Sequence, residues 1–426
     1  MMKLLSVFVF SFICSFVMAQ RAPDKVFVGS IKTIKLFPQN NQQSIPVINL
    51  NSTEQLELHF DDLGSYPKNY FYTYELCNAD WTTAQWSAFD FISGFQQNRL
   101  SQYRVSSIAK TQYVHYQAIL PERNAMPSRS GNYLLKVFQD GDTSKLLFTK
   151  RFYVVDNKIG IAAQIQQPFD FQLASTNQKI QLALNTGQLN IMSPQQIKTV
   201  ILQNSRWNNH ADALQPSFIR GNILEYNAEQ DCIFPGGKEY RWIDLQSLRF
   251  ESDRVERVNR TTFPLEIMVK TDVVRSNMRY LWYRDLNGFN EIRTTESINP
   301  WWQSDYATVI FRFAPDGGQP FLNKQVYLMG ELTGNQVGDT SLMEFDSLER
   351  VYTKKLLLKQ GYYSYCYATS GLGNNSSKVD LSATEGNYWE TENNYAIFVY
   401  YKALGGRHDE LVGYKLLNTL PANSRL

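Results

Sequence analysis

Alternation of apolar and polar residues with a period of two is the pattern that most constrains the fold of this chain. Leu56, Leu58 and Phe60 alternate with polar neighbours, which is typical of a strand that buries one face. The same alternation recurs at residues 70–76, 133–137, 180–184, 265–269, 309–313, 363–367 and 397–401. Because no long segment has the 3.6-residue period of a helix, the sequence predicts an all-β fold of tandem immunoglobulin-like β-sandwich domains.

Turn signals and polar stretches divide these strands into three series. The chain has 426 residues, more than the roughly 250–300 that one hydrophobic core accommodates. A polar stretch at residues 294–297 before Asn299-Pro300 is typical of a boundary. We therefore expect four segments, which are a signal peptide at 1–19, an N-terminal β-sandwich domain at 20–156, a middle β-sandwich domain at 157–299 and a C-terminal β-sandwich domain of early-set, carbohydrate-module-like type at 300–426.

The N-terminus has the composition of an export signal. Met1-Met2-Lys3 precedes an apolar run, and Val17-Met18-Ala19 offers a small-residue cleavage site before Gln20. The apolar run is shorter than the roughly 20 residues that a transmembrane helix needs. The sequence therefore predicts a cleaved signal peptide and an exported protein with no direct membrane insertion.

Charge and cysteine content exclude two further classes of protein. The formal net charge is +2, so no field of one sign exists to attract nucleic acid. Only Cys77, Cys232 and Cys366 follow the signal peptide, and an odd number this small is not a disulfide framework. We expect three buried free thiols.

Catalytic motifs are missing from the sequence. It contains neither Gly-x-Ser-x-Gly nor His-Glu-x-x-His, and Gly236-Gly237-Lys238 is followed by Glu239 where a phosphate-binding loop needs Ser or Thr. Asp140-Gly141-Asp142-Thr143-Ser144 opens like a calcium loop, but Lys145 and Arg151 stand where Gly and Glu are required. A hairpin turn is the interpretation we adopt there.

Histidines and tryptophans give no defined site either. The four histidines, His59, His115, His210 and His408, show no ligand spacing, although two could still meet in space. Five tryptophans could stack on a sugar or a partner, but most large rings in a β-sandwich are core; they are Trp81, Trp86, Trp301, Trp302 and Trp389. The sequence predicts no catalytic, cofactor-binding or metal-binding residue, no cofactor, and leaves the partner-binding residues unknown.

Uninterrupted strings carry a resemblance to a known family. They are FDDL (residues 60–63), YTYELCNADW (72–81), SGNYLLKV (130–137), LQN (202–204) with Trp207, GKEYR (237–241), DLNG (285–288), GELT (330–333), GYYSY (361–365), EGNYWETEN (385–393) and VYY (399–401). With these strings the chain resembles the plug protein family of the type IX secretion system of Bacteroidetes, from about Val26 to the C-terminus. Gly236-Gly237-Lys238 departs from the family, where a Gly-Asn is expected.

The resemblance implies a location, a partner and a function. Members of the family are periplasmic, associate peripherally with the outer membrane and close the periplasmic mouth of a giant β-barrel translocon when no cargo passes. It implies a non-enzymatic binding protein, monomeric when free, whose partner is that barrel. Two other interpretations stay open, an envelope glycan-binding protein that would use Trp389 and, with less support, a hydrolase.

Overall fold

The structure is a computed structural model that describes residues 24–64, 66–212, 214–372 and 378–420. The predicted signal peptide at 1–19 lies outside the described residues. Three one-turn helices are present in the described part, α1 (Ala88–Phe91), α2 (Phe171–Ala174) and α3 (Pro300–Gln303), with 3₁₀ turns at Pro194–Gln196, Asp316–Gly318 and Glu331–Thr333. No helix among the described residues is long and apolar enough to span a bilayer. The remaining regular structure is strand, which confirms the all-β prediction.

Short strands follow one another along the whole described chain. The first twelve are β1 (Lys25–Val26), β2 (Ile31–Pro38), β3 (Val47–Asn49), β4 (Leu56–Asp62), β5 (Tyr70–Cys77), β6 (Ile92–Gly94), β7 (Asn98–Arg99), β8 (Gln102–Val105), β9 (Val114–Leu120), β10 (Ala125–Pro127), β11 (Gly131–Gln139) and β12 (Leu146–Val155). The next seven are β13 (Gly160–Gln166), β14 (Asn177–Asn185), β15 (Ile197–Gln203), β16 (Arg206–Ala211), β17 (Phe218–Arg220), β18 (Ile223–Tyr226) and β19 (Ile233–Pro235). The last twelve are β20 (Arg241–Asp244), β21 (Val255–Asn259), β22 (Leu265–Val269), β23 (Asp272–Val273), β24 (Asn290–Glu291), β25 (Tyr306–Ala314), β26 (Lys324–Met329), β27 (Glu344–Asp346), β28 (Val351–Lys359), β29 (Tyr362–Gly371), β30 (Asn394–Tyr401) and β31 (Glu410–Asn418).

The first unit, residues 24–156, is a sandwich of two sheets. One sheet has the order β1-β12-β11-β5-β7, with β3 added parallel to β12, and the other has the order β2-β4-β9-β8. The alternating apolar side chains of β4, β5 and β11 fill the space between them, among them Leu58, Phe60, Tyr72, Tyr133 and Leu135. Because each strand buries one face, the period-2 pattern specifies this core directly.

The second unit is assembled from two separated parts of the chain, residues 157–235 and 394–420. One sheet has the order β13-β14-β18-β17, with β19 paired to β14, and the other has the order β16-β15-β30-β31. Strand β15 pairs along its whole length with β30, placing Val200 opposite Phe398. The shared core contains Ile180 and Leu182 from the first part and Ile397 and Val399 from the second.

The inserted unit, residues 238–392, lies in the chain between the two parts of the second unit. One of its sheets has the order β20-β29-β24, with β26 paired to β29, and the other has the order β21-β22-β25-β28-β27, with β23 paired to β25. Strands β22 and β23 run parallel to β25, whereas β28 is antiparallel to it. Its core contains Ile267, Val309, Phe311, Tyr365 and Tyr367.

This pairing corrects the domain boundary predicted at residues 299/300. Strands β21 and β22 share a sheet with β25 and β28, so a cut at 299/300 would divide a hydrogen-bonded sheet. Strands β30 and β31, expected in the third domain, complete the sheet of β15. The polar stretch at residues 294–297 did not identify a domain boundary, because a polar turn marks the end of a strand equally well inside a domain and between domains.

Local predictions agree with the described structure. Asp140 and Gly141 form the hairpin turn between β11 and β12, and the Asp142 carboxylate accepts bonds from the amide and hydroxyl of Ser144 at 3.0 and 2.7 Å. The segment 85–95 contains α1, which begins with a capping box at Ser87. The three cysteines of the described residues are buried free thiols, as expected.

Candidate functional site: buried joints between the three units

The contact between the first unit and the inserted unit is built on Asp61. In β4 the apolar side chains face the core, so Asp61 projects from the opposite face of the strand, where β28 of the inserted unit approaches. One carboxylate oxygen of Asp61 accepts a bond from Nζ of Lys359 at 2.5 Å and one from the Tyr306 hydroxyl at 2.5 Å. The other oxygen binds Nδ1 of His115 at 2.7 Å.

A pair of histidines extends this joint. Nδ1 of His59 lies 3.0 Å from Nε2 of His115, and the His59 ring stacks on the indole of Trp301 with ring centroids 3.8 Å apart. Burial lowers the pKa of His115 to about 4, although Asp61 opposes the shift. Burial opposes ionisation of Asp61, but Lys359 and His115 offset it and hold its pKa below the usual range. Burial also lowers the pKa of Lys359, against the charge of Asp61, and it lowers the pKa of His59, so both imidazoles are neutral at pH 7.

An aspartate, a histidine and a lysine in contact resemble a catalytic constellation, but these groups are closed off. The relative exposure of Asp61 is 0%, of His115 1% and of Lys359 0%. A general base has to come within hydrogen-bond reach of a substrate proton, whereas these groups form their hydrogen bonds with one another. We conclude that the cluster fastens two units together, with Lys35 adding an ion pair to Glu331 at 2.6 Å.

The contact between the first and second units is largely apolar with a polar centre. A cluster of buried side chains crosses it, including Ile45 and Tyr153 from the first unit and Phe398 from the second. Within it, the hydroxyl of Tyr400 donates to Oδ1 of Asn132 at 2.8 Å. This pair satisfies its buried polar groups across the contact, which fixes the relative position of the two sandwiches.

The contact between the second and inserted units is made by backbone as much as by side chains. Nε2 of Gln178 donates to the carbonyl oxygens of Trp389 and Thr391 at 2.5 and 2.8 Å. Gly236 lies so close to Tyr388 that a Cβ built on it would be 2.1 Å from the carbonyl oxygen. This glycine is required for the approach of the two backbones.

The three units meet around a small cavity. It has a volume of about 100 Å³, and residues of all three units line it, among them Arg151, Asn204, Asn287 and Glu331. Oδ1 of Asn287 is buried without a hydrogen-bond partner among the described residues. The polar side chains of the lining could hold a few water molecules that bridge the units.

The inserted unit contains its own buried ionic cluster. The guanidinium of Arg241 binds Glu385 at 3.0 Å and Asp272 at 2.8 Å, and Nε of Arg275 binds Glu385 at 2.7 Å. Burial raises the pKa of Glu385, but Arg241 and Arg275 outweigh it and lower the pKa to about 2. Glu385 is therefore ionised and ion-paired at neutral pH.

The five tryptophans considered as stacking platforms are all at least partly buried. Trp81 contacts Tyr153 and Trp207, Trp301 stacks on His59, and Trp389 is tied through its backbone to Gln178. Trp86 donates to His408 at 3.0 Å and Trp302 lies beside Arg104. Trp282 is more accessible, with a relative exposure of 50%, and sequence reasoning did not single it out.

Sequence reasoning also missed the joints. His59 and His115 do meet, but Asp61 and Lys359 drew no attention because their partners come from distant strands. The strings that carry the family resemblance were the available signal for these contacts. FDDL contains Asp61, and YTYELCNADW ends at Trp81, which lies in the contact between the first and second units. Within the described part of the chain, no group of three or more His, Cys, Asp or Glu side chains could hold a metal ion.

Comparisons with known proteins agree with this architecture. Residues 31–156 match a family described as the type 9 secretion system plug protein 1st domain. A solved structure of a hypothetical protein from Parabacteroides merdae ATCC 43184 is similar with 32% sequence identity and a TM-score of 0.89. The similarity covers 93% of this chain and 98% of that chain, so it extends over all three units. No curated protein matches the chain.

Proposed function

Because the chain belongs to the type IX secretion system plug protein family, and so has a role in type IX secretion, we propose that it closes the periplasmic mouth of the outer-membrane translocon barrel. It acts by reversible binding and not by catalysis. In the resting state it covers the barrel, and it leaves when cargo has to pass.

The observation that carries the proposal is the rigid connection of the three units. Asp61 and Lys359 join the first unit to the inserted unit, Asn132 and Tyr400 join the first to the second, and Gln178 joins the second to the inserted unit. A stopper has to resist deformation over a wide area. Three sandwiches held by buried polar contacts form such a body, whereas flexibly linked domains would not.

The need for a stopper follows from the physics of large barrels. A barrel with many strands encloses a polar, water-filled lumen, and it leaks when nothing occupies it. The closing protein also has to dissociate, which favours a polar and hydrated contact over an apolar one. With a net charge of +2 and 19% charged residues, the chain has a mixed surface that suits a reversible contact.

Two measurements test the proposal. The tagged chain, expressed from its own promoter, should co-purify with the translocon barrel from outer membranes solubilised in mild detergent. A deletion strain should admit large antibiotics that the parent excludes, and a plasmid copy should restore the barrier. Recovery of the protein only from the free periplasmic fraction, together with an intact barrier in the deletion strain, would overturn the proposal.

A further inference from the structure

A basic pocket on the inserted unit lies outside the joints and takes no part in them. It has a volume of about 250 Å³, and its wall contains five cationic and no anionic side chains among the described residues. The cations are Lys238, Arg241, Arg254, Arg275 and Arg279, and the other lining residues are Trp242, Met278, Leu281 and Tyr283.

Positive charge at this pocket exceeds the negative charge behind it. Asp272 and Glu385 lie behind the wall and pair with Arg241, Arg254 and Arg275. Lys238 and Arg279 form no ion pair within the described residues, and Nζ of Lys238 binds the carbonyl oxygens of Arg275 and Met278 at 2.6 and 2.8 Å. The cations of the pocket therefore outnumber the carboxylates that pair with them.

A further observation favours an anion as the ligand of this pocket. Burial lowers the pKa of Lys238, and the charge of Arg275, another residue of the wall, adds to the effect. An anion entering the pocket would relieve this crowding of like charges and accept charge-assisted hydrogen bonds.

The rim of the pocket adds apolar and aromatic surface. Leu281 is 74% exposed and Met278 51%. This rim is held in place, because Arg275 binds the Tyr283 hydroxyl at 2.8 Å and the ring of Tyr280 stacks on Tyr388 at 4.2 Å. Trp, Tyr and Arg side chains on a fixed backbone are the residues that dominate protein interfaces.

We propose that this pocket binds a carboxylate of an acidic protein segment, with an apolar neighbour of that carboxylate packing on Met278 and Leu281. The guanidinium and ammonium groups supply charge-assisted hydrogen bonds, and the rim supplies contact area. A peptide accounts for both the cations and the apolar rim, whereas a free oxyanion would use only the cations. The inference does not depend on the proposed role at the translocon.

The test is a binding titration with the full mature chain and a fluorescein-labelled decapeptide of alternating Glu and Phe. We expect saturable binding that weakens as salt is raised, and no binding of the same peptide with Gln in place of Glu. Arg279→Glu should weaken binding at least tenfold. Lys355→Glu changes the net charge equally at an exposed position on β28 and should change binding less than twofold.

Three outcomes would overturn the proposal. They are absence of binding by the unaltered chain, an equal loss in Arg279→Glu and Lys355→Glu, and displacement of the peptide by inorganic phosphate at concentrations similar to that of the peptide. The last result would assign the pocket to a free oxyanion. Because Arg279 is exposed, its substitution leaves the fold intact, which circular dichroism would verify.

Discussion

Nζ of Lys359 lies 2.5 Å from Oδ2 of Asp61, and this contact joins β28 of the inserted unit to β4 of the first unit. Both side chains have a relative exposure of 0%. The same carboxylate binds His115 and Tyr306. Removal of one partner therefore leaves the remaining buried polar groups incompletely paired.

Lys359→Met should lower the free energy of unfolding by about 3–5 kcal/mol, because it leaves the charge of Asp61 buried without its cation. Urea denaturation would measure the loss. Lys355→Met, on the same strand, removes an ion pair with Glu266 whose lysine is 64% exposed and should cost less than about 1 kcal/mol. Equal losses in the two variants would contradict the role of the joint.

The contribution of His115 to the free energy of unfolding should fall as the pH is lowered from 6.5 to 4. The pKa of His115 is about 4 in the folded protein and about 6.5 in an unfolded chain, so between these values the unfolded state binds more protons. Its contribution, up to about 3 kcal/mol, is complete above pH 6.5 and is lost as the pH falls through 4. The pKa of Asp61, also held low, adds a loss of the same sign below about pH 4.

Urea midpoints between pH 7 and pH 4 would show this dependence. The difference in free energy of unfolding between the parent and His115→Gln should therefore shrink as the pH falls from 7 to 4. An unchanged slope in His115→Gln would refute the assignment.

Substitutions at two adjacent glycines should differ strongly in their effect on stability. Gly236→Ala places a Cβ 2.1 Å from the carbonyl oxygen of Tyr388, and relief of this clash should cost about 3 kcal/mol or more. Gly237 has φ of +66° and only an ordinary contact, with Leu381 at 3.5 Å. Since Asn tolerates the left-handed region, Gly237→Asn should stay within about 1 kcal/mol of the parent. Thermal unfolding would compare them, and a destabilised Gly237→Asn with a stable Gly236→Ala would refute the geometry.

The hydroxyl of Tyr400 should matter more than that of Tyr401. Tyr400→Phe leaves Oδ1 of Asn132 without its donor inside the contact between the first and second units, at a cost of about 1–3 kcal/mol. The hydroxyl of Tyr401 binds the Asn190 carbonyl at the surface, where water can replace it, so Tyr401→Phe should cost less than about 0.5 kcal/mol. Denaturation in urea measures both, and the reverse order would contradict the buried contact.

Much of the fold follows from sequence, because a strand with one buried face needs only local alternation. Leu58 and Phe60, or Tyr365 and Tyr367, identify their core faces without knowledge of their neighbours. The pairing of β15 with β30 is different, since no local signal in Val200 specifies Phe398 as its neighbour. For this reason β30 and β31 were expected in the third domain and not beside β15.

The joints could not be predicted from the sequence either, because they too depend on neighbours that are distant in the chain. Asp61 and Lys359 look like ordinary surface charges until the units that bury them are placed together. His59 and His115 were recognised as residues that could meet, yet their contact depends on the pairing of β4 with β9. Gly236 drew attention as part of a rejected phosphate-binding loop and as a departure from the family strings, and its packing against Tyr388 needed the structure.

The split construction of the second unit affects the order in which the protein can fold. A ribosome produces the first part of this unit long before β30 and β31, and until those strands arrive β15 presents Ile201 to water on an open sheet edge. The first unit and the inserted unit can each close earlier, from continuous stretches of chain. A chain that stops short of residue 394 would thus keep an unpaired, apolar strand, and we expect such fragments to aggregate or to be degraded.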